Sequence, residues 1–94
     1  MNRTELMKNL FNEGTFIDVR SQEEFEHEHF PNAINIPLDL LPQNVSEFNK
    51  MPKPIIAYCR SGNRSGMAVS MLKHAGISDV INGGGLYDLL LKAK

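Results

Sequence analysis

The chain contains one cysteine, Cys59, which follows a short apolar run and precedes a polar loop. The apolar run Ile55–Tyr58 has the length and bulk of a buried parallel strand. After Ser65, apolar residues recur at helical spacing as far as Gly76, a residue suited to the left-handed backbone that ends many helices. The sequence therefore predicts that its one thiol lies where a strand turns through a tight loop into a helix.

This position favours an ionised thiol. A loop that closes onto a helix N-terminus directs unpaired backbone N–H groups toward one point, and the helix dipole adds about half a positive charge there. A cysteine held at such a point, beside arginines, has a pKa below the ordinary value of roughly 8.5. Arg60 and Arg64 can bind an incoming anion through paired hydrogen bonds, and Gly62 gives the loop a residue without a Cβ. The loop is thus predicted to be an anion-binding cup around a nucleophilic thiolate.

A less specific interpretation also has to be weighed. A lone cysteine is more often a small buried hydrophobic residue than a nucleophile. Here five polar or small residues follow the thiol directly, and no apolar residue comes before Met67, which argues against simple burial. One of the two arginines could still be a solvated surface charge.

The rest of the chain alternates between segments with strand character and segments with helical periodicity. The predicted strands are Thr15–Val19, Ala33–Ile36, Ile55–Tyr58 and Asp79–Asn82. Helices are predicted over 6–11, 21–29, 42–50 (weak, and capped near Ser46), 66–75 and 86–94, and Gly83 to Gly85 are predicted to form a loop. This alternation predicts an α/β fold in which a parallel central sheet of about four to five strands is flanked by helices on both faces. Sites in such sheets form at the carboxyl ends of strands, where Cys59 is placed.

Asp18 is an unusual residue within an apolar strand, because strands of parallel sheets are commonly buried on both faces. Its carboxylate is expected to have a partner at the end of the strand: Arg20, Arg64 or nearby backbone N–H groups. A satisfied carboxylate that supports the loop is a better interpretation than a catalytic one. Directly after it, Ser21 and Glu24 have the spacing of a capping box that begins a short helix.

Two histidines in that short helix, His27 and His29, do not indicate a metal site. Their separation by two positions places the imidazoles on different faces of a helix. The sequence predicts neither a bound metal nor any other cofactor.

Composition restricts the possible functions further. The chain has 94 residues and a net charge of −1, so it is predicted to be one domain (1–94) without general attraction to nucleic acid or to acidic lipid. No apolar stretch has the length for export or for spanning a membrane, and a cytoplasmic location is expected. A single cysteine excludes an internal disulfide and an internal resolving thiol. Whatever forms on Cys59 must be removed by another molecule.

The loop Tyr58-Cys59-Arg60-Ser61-Gly62-Asn63-Arg64-Ser65 resembles the active-site loop of rhodanese-homology sulfurtransferases. Two further stretches resemble conserved blocks of the same family. They run from Phe16 through Arg20 to Pro37, and from Val80 to Gly85. Together the three stretches span nearly the whole chain in the family's order and spacing. The resemblance implies a single rhodanese-like domain with a three-layer fold, and a structural role for His29.

The resemblance also implies a two-step sulfur transfer. The Cys59 thiolate would take sulfane sulfur from a donor such as thiosulfate, release sulfite, and pass the sulfur to an acceptor such as cyanide or a thiol. Backbone N–H groups of residues 60–65 would stabilise the persulfide. The expected donor-binding residues are Arg60, Ser61, Gly62, Asn63, Arg64 and Ser65, with Asp18, Arg20 and His29 in support. The partners implied are small molecules or a protein persulfide donor, and neither nucleic acid nor a membrane.

Two alternatives remain. Cysteine-dependent phosphatases and arsenate reductases use the same thiolate-in-a-cup principle, but typically place five residues between cysteine and arginine. Here four residues separate Cys59 from Arg64, and the shorter loop favours sulfur. A rhodanese-like binding or sulfur-relay module with little thiosulfate activity is the second alternative. Such binding modules often lack the cysteine.

Overall fold

The central strand β3 (Ile55–Cys59) is buried at every residue. The computed structural model describes residues 13–92. Strand β1 (Thr15–Asp18) pairs with one edge of β3, and strand β4 (Val80–Gly85) pairs with the other. The short strand β2 (Ile34–Asn35) completes a four-stranded sheet in the order β2-β1-β3-β4, in which every pair is parallel. This sheet confirms the predicted architecture.

Helices cover both faces of the sheet, because the side chains of β3 alternate between two apolar cores. Ile55, Ala57 and Cys59 belong to one core, and Ile56 and Tyr58 to the other. The helical elements are α1 (Gln22–His27), a 3-10 helix (Leu38–Asn44), α2 (Val45–Phe48), α3 (Asn63–His74) and α4 (Leu86–Lys92). Residues of α2 and α3 pack into the first core, and residues of α4 pack into the second. The protein therefore has three layers, with the sheet in the middle.

Helix α3 confirms the predicted helix after the cysteine, although it begins at Asn63, earlier than the apolar pattern indicates. It ends where expected, since Gly76 has a φ of +96°. The helix prediction for the segment between β2 and β3 was wrong. The segment 42–50 was predicted as one weak helix capped near Ser46, but a 3-10 helix runs through Pro42 and Ser46 lies inside the following short helix α2.

Packing explains that correction. Leu41 in the 3-10 helix and Phe48 in α2 are both completely buried, so two short helical turns cover the sheet at this point. Proline has no N–H to give to a regular helix, and it is accommodated in the 3-10 segment. The predicted first helix, from Leu6 to Phe11, lies outside the described residues. No helix within residues 13–92 is both long and apolar enough to cross a membrane.

The three glycines predicted as a loop instead continue strand β4, with a register shift opposite Ala57 and Tyr58. Gly84 pairs with Tyr58, and Gly85 pairs with Cys59. A Cβ on Gly85 would collide with the backbone carbonyl oxygen of Arg60. Backbone thus lies directly against backbone here, and the contact holds the start of the loop after Cys59 against the end of β4.

We predict that Gly85→Ala destabilises the protein by roughly 1–3 kcal/mol, because a rigid backbone atom would have to move to admit the methyl group. Urea unfolding followed by circular dichroism measures the change. Gly66→Ala is the matched control, since its Cβ would meet only the side-chain nitrogen of Asn82 at 3.4 Å and alanine favours the helix that contains it. Equal unfolding midpoints for Gly85→Ala and the parent would contradict the role given to this contact.

Candidate active site

Cys59 is the last residue of β3, and its side chain is completely buried within the first core. Its sulfur nevertheless has polar partners. The backbone N–H of Gly62 donates to Sγ at 3.0 Å, and the N–H of Ser65 lies 3.4 Å away. The hydroxyl oxygen of Ser65 is also 3.4 Å from the sulfur. The loop and the first turn of α3 thus direct donors at a buried thiol.

These donors control the ionisation of the thiol. Burial raises the pKa of Cys59, whereas hydrogen bonds to the sulfur from the backbone N–H groups of Ser65, Ser61 and Gly62 lower it. The hydrogen bonds outweigh the burial, so the pKa of Cys59 lies below its usual value. Hydrogen bonding to the charged form of an acid always acts in this direction. The buried sulfur is therefore suited to act as a thiolate nucleophile.

Gly62 makes this arrangement possible through its backbone conformation. Its φ of +99° is in the left-handed region, which a residue with a Cβ rarely adopts. In this conformation its N–H points at Cys59, while its carbonyl accepts from the N–H of Gly66 at 2.9 Å and begins α3. A second donor to that carbonyl is the side-chain amide of Asn82, at 3.1 Å.

Asn82 is a site residue that the sequence analysis missed. Its Oδ1 accepts from the hydroxyl of Ser65 at 2.7 Å and from the N–H of Gly84 at 2.9 Å. Together with the bond to Gly62, these contacts connect β4, the loop and α3 around the cysteine. The signal was present in the sequence as a polar residue immediately before three glycines in a strand.

The two loop arginines lie in different environments. Arg64 forms a bidentate ion pair with Glu24, with Nη1 at 2.7 Å from Oε1 and Nη2 at 3.0 Å from Oε2. The hydrogen bonds from Arg64 lower the pKa of Glu24 to about 2, so the carboxylate is charged throughout the neutral range. Arg60 is exposed, and within residues 13–92 its guanidinium has no hydrogen bond or ion pair.

Arg60 borders a surface cavity of about 360 Å³ between α1 and α4. The other residues that line it are Arg20, Glu23, Glu24, His27, Leu86 and Tyr87. Ser61 and Asn63 are exposed beside the same loop, whereas Ser65 is buried against the sulfur. The structure thus brings Gly62 and Ser65 to the Cys59 sulfur, whereas Arg60 borders the cavity and Arg64 is paired with Glu24. Contact of the predicted donor-binding residues with a donor stays a prediction.

The predicted supporting residues make their hydrogen bonds with residues other than Cys59. Asp18 is completely buried, and two of its three candidate partners bind it at 2.8 to 3.1 Å: the Arg20 guanidinium, through Nε and Nη2, and a nearby backbone N–H, that of Arg20. His29 is exposed, stacks on Phe25 with ring centroids 3.8 Å apart, and its Nδ1 is 2.7 Å from the Phe25 carbonyl oxygen. The capping box of Ser21 and Glu24 is confirmed. Within residues 13–92 neither Asp18 nor His29 forms a hydrogen bond with Cys59, and their supporting roles stay a prediction.

Comparison with known proteins connects this geometry to a family. The family model described as "Rhodanese-like domain" matches residues 2–88. The chain belongs to the rhodanese-like domain family. Among solved structures, this rhodanese-like domain is similar to "rhodanese with anions from E. coli", with a TM-score of 0.72 and 36% identity over 79% of this chain and 88% of that one. A rhodanese-related protein from Thermoplasma volcanium gives a TM-score of 0.79 at 26% identity, covering 95% and 88% of the two chains.

Curated relatives of this rhodanese-like domain include proteins of different lengths. It is 35% identical to the thiosulfate sulfurtransferase PspE of Escherichia coli, over 81% of this chain and 74% of PspE. It is 38% identical to the uncharacterised protein YqhL of Bacillus subtilis, over 77% of this chain but only 56% of YqhL. The chain therefore spans most of one relative and little more than half of another.

We predict that the Cys59 thiol ionises at a lower pH in the folded protein than in the urea-unfolded protein. The thiolate absorbance in the ultraviolet, titrated with the Cys59→Ala variant as a blank for tyrosine, measures both values. Because the folded pKa is the lower one, the thiolate stabilises the fold at a pH above the unfolded pKa, and this stabilisation is lost as the pH falls through the folded pKa. A pKa in the folded protein equal to or above that in the unfolded protein would contradict the conclusion that the loop N–H groups stabilise the Cys59 thiolate.

Proposed function

We propose that this domain is a sulfurtransferase that moves sulfane sulfur from a small anionic donor such as thiosulfate to cyanide or a thiol through a persulfide on Cys59. The observation that carries the proposal is the convergence of the Gly62 and Ser65 donors on the Cys59 sulfur. Family membership supports it, since the relative PspE is a thiosulfate sulfurtransferase.

The first step transfers sulfur to the enzyme. The Cys59 thiolate attacks the outer sulfur of thiosulfate, a new S–S bond forms, and the bond between the two sulfurs of thiosulfate breaks. Its electron pair leaves with sulfite, so the terminal sulfur of the persulfide carries the negative charge. In the free enzyme the N–H groups of the loop surround Sγ. In the persulfide, amides of the same loop can stabilise the negative terminal sulfur, as in other sites that stabilise a developing anion.

The second step returns the enzyme to its starting state. An acceptor such as cyanide attacks the outer sulfur, the S–S bond breaks, and the Cys59 thiolate leaves with the electron pair. The low pKa of Cys59 assists here as well, because a more acidic thiol is a better leaving group. No internal thiol competes for the sulfur, since the chain has one cysteine.

Arg60 is the residue that we assign to donor recognition. It is exposed at the loop and has no ion-pair partner within the described part of the chain, whereas the charge of Arg64 is matched by Glu24. The length of the loop argues against phosphatase chemistry, because four residues instead of five separate Cys59 from Arg64.

A reducing compartment such as the cytoplasm suits a protein whose activity needs a free thiol, and we propose that location.

A relay function differs only in the donor, which would be a partner's persulfide instead of thiosulfate. A comparison of sulfur transfer from thiosulfate with transfer from a protein persulfide distinguishes the two functions.

We predict that the protein gains the mass of one sulfur atom after incubation with thiosulfate, and that Cys59→Ser gains none and has no thiocyanate-forming activity. Serine is far less acidic than cysteine, so its hydroxyl does not replace the thiolate as nucleophile. It is also smaller, so the variant is expected to fold, which circular dichroism checks. Hydrolysis of p-nitrophenyl phosphate, assayed on the same preparation, tests the phosphatase alternative. Sulfur gained from a protein persulfide but not from thiosulfate would favour the relay.

We predict that Arg60→Ala raises the KM for thiosulfate roughly tenfold, a loss of about 1.4 kcal/mol in donor binding, because a charged hydrogen-bond donor is removed. Lys73→Ala is the matched control. Lys73 is also an exposed cation, but it lies in the last turn of α3, about 15 Å along the helix from the loop. An unchanged KM in Arg60→Ala would remove Arg60 from donor recognition.

A further inference from the structure

We propose that Glu24 determines the charge selectivity of the donor site by withholding Arg64 from the donor. The inference rests on the proposed function, because it concerns the anion that enters the same cup. It assigns to a residue of α1 a role that the loop motif does not contain.

The position of Glu24 is fixed by contacts on its own helix. The hydroxyl of Ser21 accepts from the N–H of Glu24, and the Glu24 carboxylate accepts in return from the N–H and hydroxyl of Ser21, each at 3.2 Å. The same carboxylate meets Arg64 with both oxygens, at 2.7 and 3.0 Å. Since the capping box orients the carboxylate, its bidentate pair with Arg64 needs little further ordering of the acid.

Arg64 is close enough to the thiol for its charge to matter. It directly precedes Ser65, whose N–H and hydroxyl lie within 3.4 Å of the sulfur. The Arg64 pKa is raised, chiefly by its hydrogen bonds with Glu24, and the charge of Cys59 adds to the same effect. An unpaired Arg64 would therefore add a second positive charge beside the cup.

The pair reduces the positive charge that a donor meets. Two cations follow the cysteine in the loop, but the Glu24 carboxylate neutralises one of them, Arg64, and lines the same cavity as the other, Arg60. Glu23, a second carboxylate, lines that cavity too. A dianion such as thiosulfate is disfavoured by this arrangement relative to a donor with one negative charge.

Glu24→Gln tests the inference because glutamine keeps the capping acceptor and loses the charge. We expect the KM for thiosulfate to fall about threefold to tenfold, and the KM for a monoanionic aryl thiosulfonate to fall less. A purely structural role for Glu24 would raise both KM values together. The gain is expected to disappear in Glu24→Gln/Arg64→Ala, in which the released guanidinium is absent.

Glu23→Gln is the matched control, since it removes the same charge from the same cavity without releasing Arg64. A direct binding measurement keeps the test independent of turnover. Calorimetric titration of sulfate, an unreactive dianion, is carried out in the Cys59→Ser background with either glutamine substitution. The expected result is tighter sulfate binding with Glu24→Gln than with Glu23→Gln.

The outcomes separate this inference from the proposed function. Tighter sulfate binding with Glu24→Gln, in a protein whose Cys59 takes no sulfur from any donor, would support the inference and refute the sulfurtransferase. Normal sulfur transfer with equal sulfate affinities for the two glutamine variants would refute the inference alone. Weaker sulfate binding in Glu24→Gln would also refute it, because it would show that Glu24 aims Arg64 at the donor.

Discussion

The hydrogen bonds from Gly62 and Ser65 to the buried sulfur of Cys59 are the interaction on which the rest of the structure depends. Burial in an apolar core raises the pKa of a thiol, and at Cys59 the donors directed at the sulfur reverse that effect. Those donors require a left-handed residue at Gly62 and a helix that begins one residue later. The chain satisfies both conditions in the few residues that connect β3 to α3.

The sheet supplies the rigidity that this short loop lacks. Parallel pairing brings the carboxyl ends of β1, β3 and β4 to one edge, which places Asp18, Cys59 and Gly85 in neighbouring strands. Gly85 lets β4 lie directly against the backbone of Arg60, and Asn82 binds both the loop and α3. On the other side, the ion pair of Arg64 with Glu24 connects the first turn of α3 to α1. The cup is thereby held from two directions by elements far apart in sequence.

Local signals in the sequence predicted the features that depend on local chemistry. The apolar run of β3, the capping box at Ser21 and Glu24, and the stop at Gly76 are each decided by residues within a turn of one another. The missed features depend on distant partners. Asn82 donates a hydrogen bond to Gly62, which lies 20 positions earlier in the chain, and Glu24 pairs with Arg64, which lies 40 positions later. The prediction of one helix over 42–50 was wrong for the same reason, because the form of this segment depends on the burial of Leu41 and Phe48 against the sheet.

The complete burial of Cys59 has a consequence for the durability of the protein. Thiolates that are accessible to solvent are the ones most readily oxidised by peroxide, first to sulfenic acid and then irreversibly to the higher acids. A chain with one cysteine cannot rescue such a sulfenic acid by forming an internal disulfide. Because the sulfur has no exposed surface, an oxidant and a sulfur donor meet the same barrier on the way to it, and the acidity of the thiol does not by itself make it easy to oxidise.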